Sequence, residues 1–186
     1  MKRAISAACL LLLTFTLLAQ NPPAPPKPAP ELARLKYFEG TWATQITMQP
    51  GPWGPGGKAS GTDHLDWGLG GFFLLSHSVF KGGGMDNNAV AYFGYDSNKK
   101  AYTYDEYNSM GEVNHSTGNV NDKTWTWTNE MDMGGQKING RFILVETSPT
   151  SYTMKYEFST DGGKTWNTAM EGTGTKQGDG SSTKKK

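Results

Sequence analysis

From Thr41 onward the chain alternates. Trp42, Thr44, Ile46 and Met48 stand against Thr41, Ala43, Gln45 and Thr47. Tyr102 and Tyr104 share one parity, as do Trp125 and Trp127 with threonines opposite. Tyr152, Met154, Tyr156 and Phe158 form an aromatic stripe against Thr153, Lys155 and Glu157. A side-chain period of two places one set on each face of an extended chain. Aromatic and β-branched residues on one face, with polar ones on the other, suit a half-buried strand. Turn formers punctuate the pattern: GPWGPGG (51–57), KGGGMDNN (81–88), DSNKK (96–100), SMGE (109–112), NVNDK (119–123), MGGQ (133–136), SPTS (148–151) and TDGGK (160–164). Strands are therefore predicted near 41–48, 58–66, 71–80, 89–95, 100–107, 112–119, 123–131, 136–147, 151–159 and 165–175.

One helical signal precedes them. Pro30 opens ELARLKYF, Glu31 complements the helix N-terminus, Leu32, Leu35 and Phe38 recur at every third position, and Gly40 stops the run. An antiparallel meander of this length must protect its edges, and closing on itself removes them. No period of 40 to 50 residues recurs, so nothing supports a propeller. A turn of helix leading into Gly40-x-Trp42 looks like the start of a lipocalin. The expected fold is all-β: a calycin-like antiparallel up-and-down β-barrel of about 8–10 strands with a short N-terminal helix.

The 186 residues divide into four parts. Lys2 and Arg3 followed by the apolar run Ala4–Leu18 and by Leu17-x-Ala19 read as a cleavable signal peptide over 1–19. The run is short for a bilayer span, so no membrane span is expected in the mature form. Residues 20–30, with six of the ten prolines, read as an extended linker. Residues 31–177 hold one barrel domain, and 178–186 a solvated tail ending in Lys184–Lys186. The single cysteine, Cys9, falls in the signal segment, which leaves no disulfide and no thiol chemistry downstream. Removing Lys2 and Arg3 from the 18 basic residues leaves 16 against 17 acidic ones, a balance that offers nucleic acid nothing. The expected location is secreted or periplasmic.

Six segments taken in order carry a family resemblance: LARLKYFEGTW (32–42), GLGGFFL (68–74), AYFGYDSNKKAY (91–102), DEYNSMGE (105–112), GNVND (118–122) and DGGKTW (161–166). Together they resemble a bacterial domain-of-unknown-function family, numbered fifteen seventy-nine. The resemblance implies a calycin-like barrel, often exported, and no established activity. This chain departs from it at Thr175-Lys176, where the family favours Thr-Arg; a lysine cannot stack and fork over Trp42 as an arginine does.

Few residues suggest chemistry. His64, His77 and His115 lie in different predicted strands without metal-ligand spacing. His77 alternates with Phe73, Leu75 and Val79, which suits a core-edge histidine and leaves haem ligation, as in the similar nitrobindin barrels, a minor alternative. Asp105 and Glu106 must point to opposite faces of a strand, and Glu130 and Asp132 border a turn. Both pairs are expected at the solvated surface rather than facing each other across a substrate as a glycosidase requires. STDGGKTW (159–166) fits the Asp-box pattern of sialidases and other propeller proteins, but its single occurrence between two strands reads as a hairpin. Arg141 alternates with Ile143 and Val145, and either covers apolar surface or holds an anionic ligand head.

Of 6 Trp, 8 Tyr and 8 Phe, all but Phe15 belong to the mature chain. Aromatic lining suits a flat or amphipathic guest, and a filled barrel explains the same composition. The expectation is a non-catalytic protein binding a small, partly apolar ligand through Trp42, His77, Tyr92, Tyr104, Trp127, Arg141 and Tyr156, with neither metal nor cofactor. The rivals are a carbohydrate-active hydrolase and a structural or interaction module with a filled barrel.

Overall fold

The computed structural model describes residues 25–178 apart from 52 and 85. The signal segment 1–19 with Cys9, the first residues of the linker (20–24) and residues 179–186 of the tail lie outside the described residues.

The helical signal becomes a 3₁₀ helix over Pro30–Phe38 rather than an α-helix. Its apolar spacing explains why. Leu32, Leu35 and Phe38 recur every three residues, which is one turn of a 3₁₀ helix, and all three are buried on one side. Pro30 sits at the start, where its missing N–H costs nothing.

Ten strands follow: β1 (Gly40–Met48), β2 (Gly57–Gly68), β3 (Phe73–Gly82), β4 (Asn87–Asp96), β5 (Ala101–Asn108), β6 (Val113–Asn121), β7 (Thr124–Met133), β8 (Gln136–Ser148), β9 (Ser151–Ser159) and β10 (Asn167–Lys176). Each pairs with its sequence neighbours, and β1 pairs antiparallel with β10, so the sheet closes as an up-and-down barrel without edges. The predicted strand near 71–80 begins later because Leu69–Gly71 form a short 3₁₀ turn, with Gly70 and Gly71 at φ 71° and 84°.

The inward parity carries Trp42, Thr44 and Ile46 on β1, and Trp125 and Trp127 on β7. The 3₁₀ helix plugs the end of the barrel where β1 begins. There Phe38, Trp42, Tyr102, Trp125, Trp127, Leu144 and Tyr152 form a buried floor with Leu35. Trp42 Nε1 donates to the Phe38 carbonyl at 2.7 Å, which fixes helix to strand. Trp125 and Trp127 stack at 5.3 Å and 7°. Burying each such ring stabilises the fold by about 1.5–3 kcal/mol. Glycines make room for the rings: Tyr152 lies over Gly174, and Trp127 over Gly118. At the opposite end Trp53 meets Phe158 at 4.8 Å and Tyr156 at 6.1 Å.

Candidate functional site

Above the aromatic floor the inner wall becomes polar. On β2, Asp63 shares the inward parity of Ala59 and Leu65, and it stands directly opposite Trp42. Ser76 Oγ on β3 donates to Asp63 Oδ1 at 2.6 Å. One register row then runs Ser76–Ala91–Glu106–Asn114 across β3, β4, β5 and β6. Glu106 accepts hydrogen bonds from the Tyr104 hydroxyl and, at 3.1 Å, from Asn114 Nδ2. Tyr104 packs on Phe93 at 4.8 Å, and Phe93 on Trp127 at 5.9 Å. Ser76, Ser78, Ala89, Ala91 and Ser116 keep the surrounding wall low. Asp63, Phe93, Tyr104, Glu106 and Asn114 face inward and are only half-buried.

The electrostatics follow from burial. Loss of solvent pushes the Asp63 carboxyl up to about 6; the Ser76 hydrogen bond opposes this, and the Glu106 charge adds to it. Burial and the adjacent Glu106 carboxylate raise the Tyr104 phenol well above its ordinary value. Burial likewise raises Tyr156 to about 12, against a hydrogen bond with Asn129. Among the described residues, two further inward groups have no hydrogen-bond partner: Thr44 Oγ1 and Trp127 Nε1. Their residues are 3% and 5% exposed.

The structure brings four of the seven expected residues into the barrel. Trp42, at 1% exposure, belongs to the floor and packs on Tyr152 at 4.9 Å. Tyr104 and Trp127 border the polar wall, and Tyr156 lies beneath Trp53 near the other end. The other three face outward. His77 is exposed and directly opposite His64 on the outer wall, so it offers no axial ligand to a group inside the barrel. Tyr92 packs against Phe73 outside. Arg141 Nε donates to Glu157 Oε2 at 2.6 Å, and its guanidinium covers Trp166 at 4.0 Å. Its stem and guanidinium cover outer surface there.

Asp105 and Glu106 do point to opposite faces: Asp105 lies outside at 2.6 Å from His115 Nδ1. Glu106 lies inside, which overturns its expected surface position. Glu130 stays outside, paired with Lys137 at 2.7 Å. The Asp-box is a turn. Asp161 accepts from the Lys164 and Thr165 amides, the Thr165 hydroxyl and Ser159 Oγ, and Trp166 Nε1 closes the loop onto the Gly163 carbonyl at 3.0 Å. Both carboxylate oxygens of Asp161 thus serve the hairpin.

Sequence reasoning missed Asp63, Glu106 and Trp53. The signal was present. Asp63 is in phase with Leu65 and Trp67, and Glu106 with Tyr102 and Tyr104; a tryptophan inside a Gly-Pro turn has little reason to be there unless it covers something.

A sequence model described as "Protein of unknown function (DUF1579)" matches residues 27–176. The chain belongs to that family. The DUF1579 description assigns no activity, and no curated protein matches the chain. Among solved structures, the crystal structure of Rv2717c from M. tuberculosis is similar, with a TM-score of 0.55 and 11% identity over 82% of this chain and 100% of that one. At this identity the likeness shows the fold alone. Lys176 pairs with Trp42 in register and sets its Nζ 5.5 Å from the ring centre. No helix among the described residues is long and apolar enough to cross a membrane.

Proposed function

We propose that this protein is an exported, non-catalytic barrel that holds a small, partly apolar ligand between its aromatic floor and Trp53. The observation that carries the reading is the set of inward-facing residues that stay half-buried above the floor: Asp63, Phe93, Tyr104, Glu106 and Asn114. A mostly apolar lining with a few convergent polar groups is the usual composition of a small-molecule site. The interior-facing Tyr104, Trp127 and Tyr156 supply the aromatic contacts, and Trp42 supports them from below.

Native mass spectrometry of the protein purified without denaturation tests the reading. A discrete mass excess, lost on organic extraction and accompanied by a change in tryptophan emission, is the expected result. A bare-chain mass with an emission spectrum that no small apolar compound perturbs would overturn it. The export half of the proposal rests on residues 1–19. Amino-terminal sequencing of protein recovered outside the cytoplasm should begin near Gln20, and an intact Met1 there would refute cleavage.

A further inference from the structure

The outer wall brings together metal-ligating side chains that lie far apart in sequence. His64 on β2 and His77 on β3 are direct register partners, so both project from the same face of one antiparallel pair. Side chains paired in this way start from Cβ atoms about 4.5–5.5 Å apart, close enough for two imidazoles to reach one ion. Asp66 follows His64 by two positions on β2 and shares that face. Its Oδ2 lies 3.7 Å from His64 Nε2, and both side chains are more than half exposed.

His64 is already held as a ligand would be. Thr41, its register partner on β1, sets Oγ1 2.9 Å from His64 Nδ1. That contact orients the ring and leaves Nε2, the nitrogen facing Asp66, to bind an ion; metal-binding histidines commonly commit their other nitrogen in this way. Donors bound at about 2.0–2.2 Å stand about 3–3.5 Å apart around an ion, so the 3.7 Å between Nε2 and Oδ2 is only slightly wider than a bound pair. No three such side chains among the described residues meet at one point already. His77 is exposed, and its ring can swing about its side-chain torsions to complete the set. The neighbours of the two histidines along and across the strands are Thr41, Thr62, Leu75, Val79 and Val90, none of them cationic.

We propose that His64, His77 and Asp66 form an outer-wall site for one late first-row divalent ion, with Cu²⁺ held more tightly than Zn²⁺. Imidazole nitrogen suits both ions, the carboxylate offsets one of their two charges, and water fills the remaining positions on this open face. Mg²⁺ and Ca²⁺ prefer all-oxygen sets and gain little from two imidazoles. The site lies on the other face of the wall from Asp63 and Glu106, so it stands independently of the small-ligand reading.

Isothermal calorimetry with CuCl₂, ZnCl₂ and MgCl₂ tests the site. The sample is the full chain without an affinity tag, with its single cysteine replaced, Cys9→Ser, so that no thiol competes. One Cu²⁺ should bind per chain, Zn²⁺ at least about tenfold more weakly, and Mg²⁺ without measurable heat. His64→Gln and His77→Gln should each weaken Cu²⁺ binding at least about tenfold, and His115→Gln, which removes the third histidine of the chain, should leave it unchanged. Electron paramagnetic resonance of the Cu²⁺ complex needs no histidine variant and should show coupling to two imidazole nitrogens. Coupling to fewer than two, wild-type affinity in H77Q, weakened binding in H115Q, or no Cu²⁺ binding at all overturns the site.

Discussion

The Arg141 guanidinium lies 4.0 Å from the centre of the Trp166 ring on the outer wall of the barrel. Arg141 also holds Glu157, which is 6% exposed and takes a second cation from Lys155 at 2.6 Å. Burial alone would raise the Glu157 carboxyl, but the Lys155 and Arg141 hydrogen bonds hold it below its ordinary range. This stack ties the last hairpin to β8. Replacing Trp166→Ala should cost about 1–2 kcal/mol in urea denaturation, while Trp166→Phe retains most of it. Equal stability of W166A and wild type would show that the stack contributes nothing.

The same hairpin has an acid-sensitive anchor. Hydrogen bonds from the Thr165 amide and hydroxyl, then from Ser159, lower the Asp161 carboxyl from 3.8 to about 2. A folded value below the unfolded one stabilises the fold above about pH 4, and the benefit is lost as pH falls through 2. Asp161→Ala should therefore lower the melting temperature at pH 7 and flatten its decline between pH 4 and 2. An unchanged acid limb in D161A would contradict this role.

Asp63 acts in the opposite sense. Its carboxyl is raised from 3.8 to about 6, so its ionisation in the folded state costs stability. The cost is absent below about pH 4, grows as pH rises towards 6, and is constant above. Asp63→Asn, which keeps an acceptor for Ser76, should be more stable than wild type by about 1–3 kcal/mol at pH 7 and equal to it near pH 3. A pH-independent difference would show that the gain is steric.

Gly118 sets how closely β6 approaches the floor. A Cβ there would sit 2.6 Å from Trp127 Cδ1, and the ring is held by its stack on Trp125. Gly118→Ala should destabilise by about 1–3 kcal/mol through overpacking, despite the better strand propensity of alanine. Near-ultraviolet circular dichroism should lose part of the coupled tryptophan signal. A neutral substitution would mean that the indole moves freely.

At the floor, Lys176 is a point charge 5.5 Å from the centre of the Trp42 ring. Arginine can stack flat on the indole, so Lys176→Arg should raise stability by about 0.5–1 kcal/mol. Chemical denaturation checks this, and a loss of stability would show that the space beside Gly40 is too small for the fork.

The fold was legible in the sequence because its signals are local. The Tyr152–Phe158 stripe, the Gly-rich turns and the three-residue spacing of Leu32, Leu35 and Phe38 each act within one element, and each matches its element in the structure. The TDGGK turn was legible for the same reason, since Asp161 bonds only to residues of its own loop and to Ser159.

The site was less legible. Period two names the two faces of a strand but does not say which one is inside. On β3 the apolar parity of Phe73, Leu75, His77 and Val79 suggested the interior. The interior took Leu74, Ser76, Ser78 and Phe80 instead. Phe73 and Leu75 find cover on the outer wall over Gly94 and Gly68, so their burial did not require the core. The same inversion put His77 and Tyr92 outside, whereas Asp63 and Glu106 came in on the parity of Leu65 and of Tyr102 and Tyr104. The sequence by itself determined ten strands, their turns and the helix that plugs one end, because hydrophobic alternation and turn chemistry act over a few residues. Only closure of β1 onto β10 decided which parity faced the axis, and so set two carboxyls far apart in sequence within one low-dielectric interior.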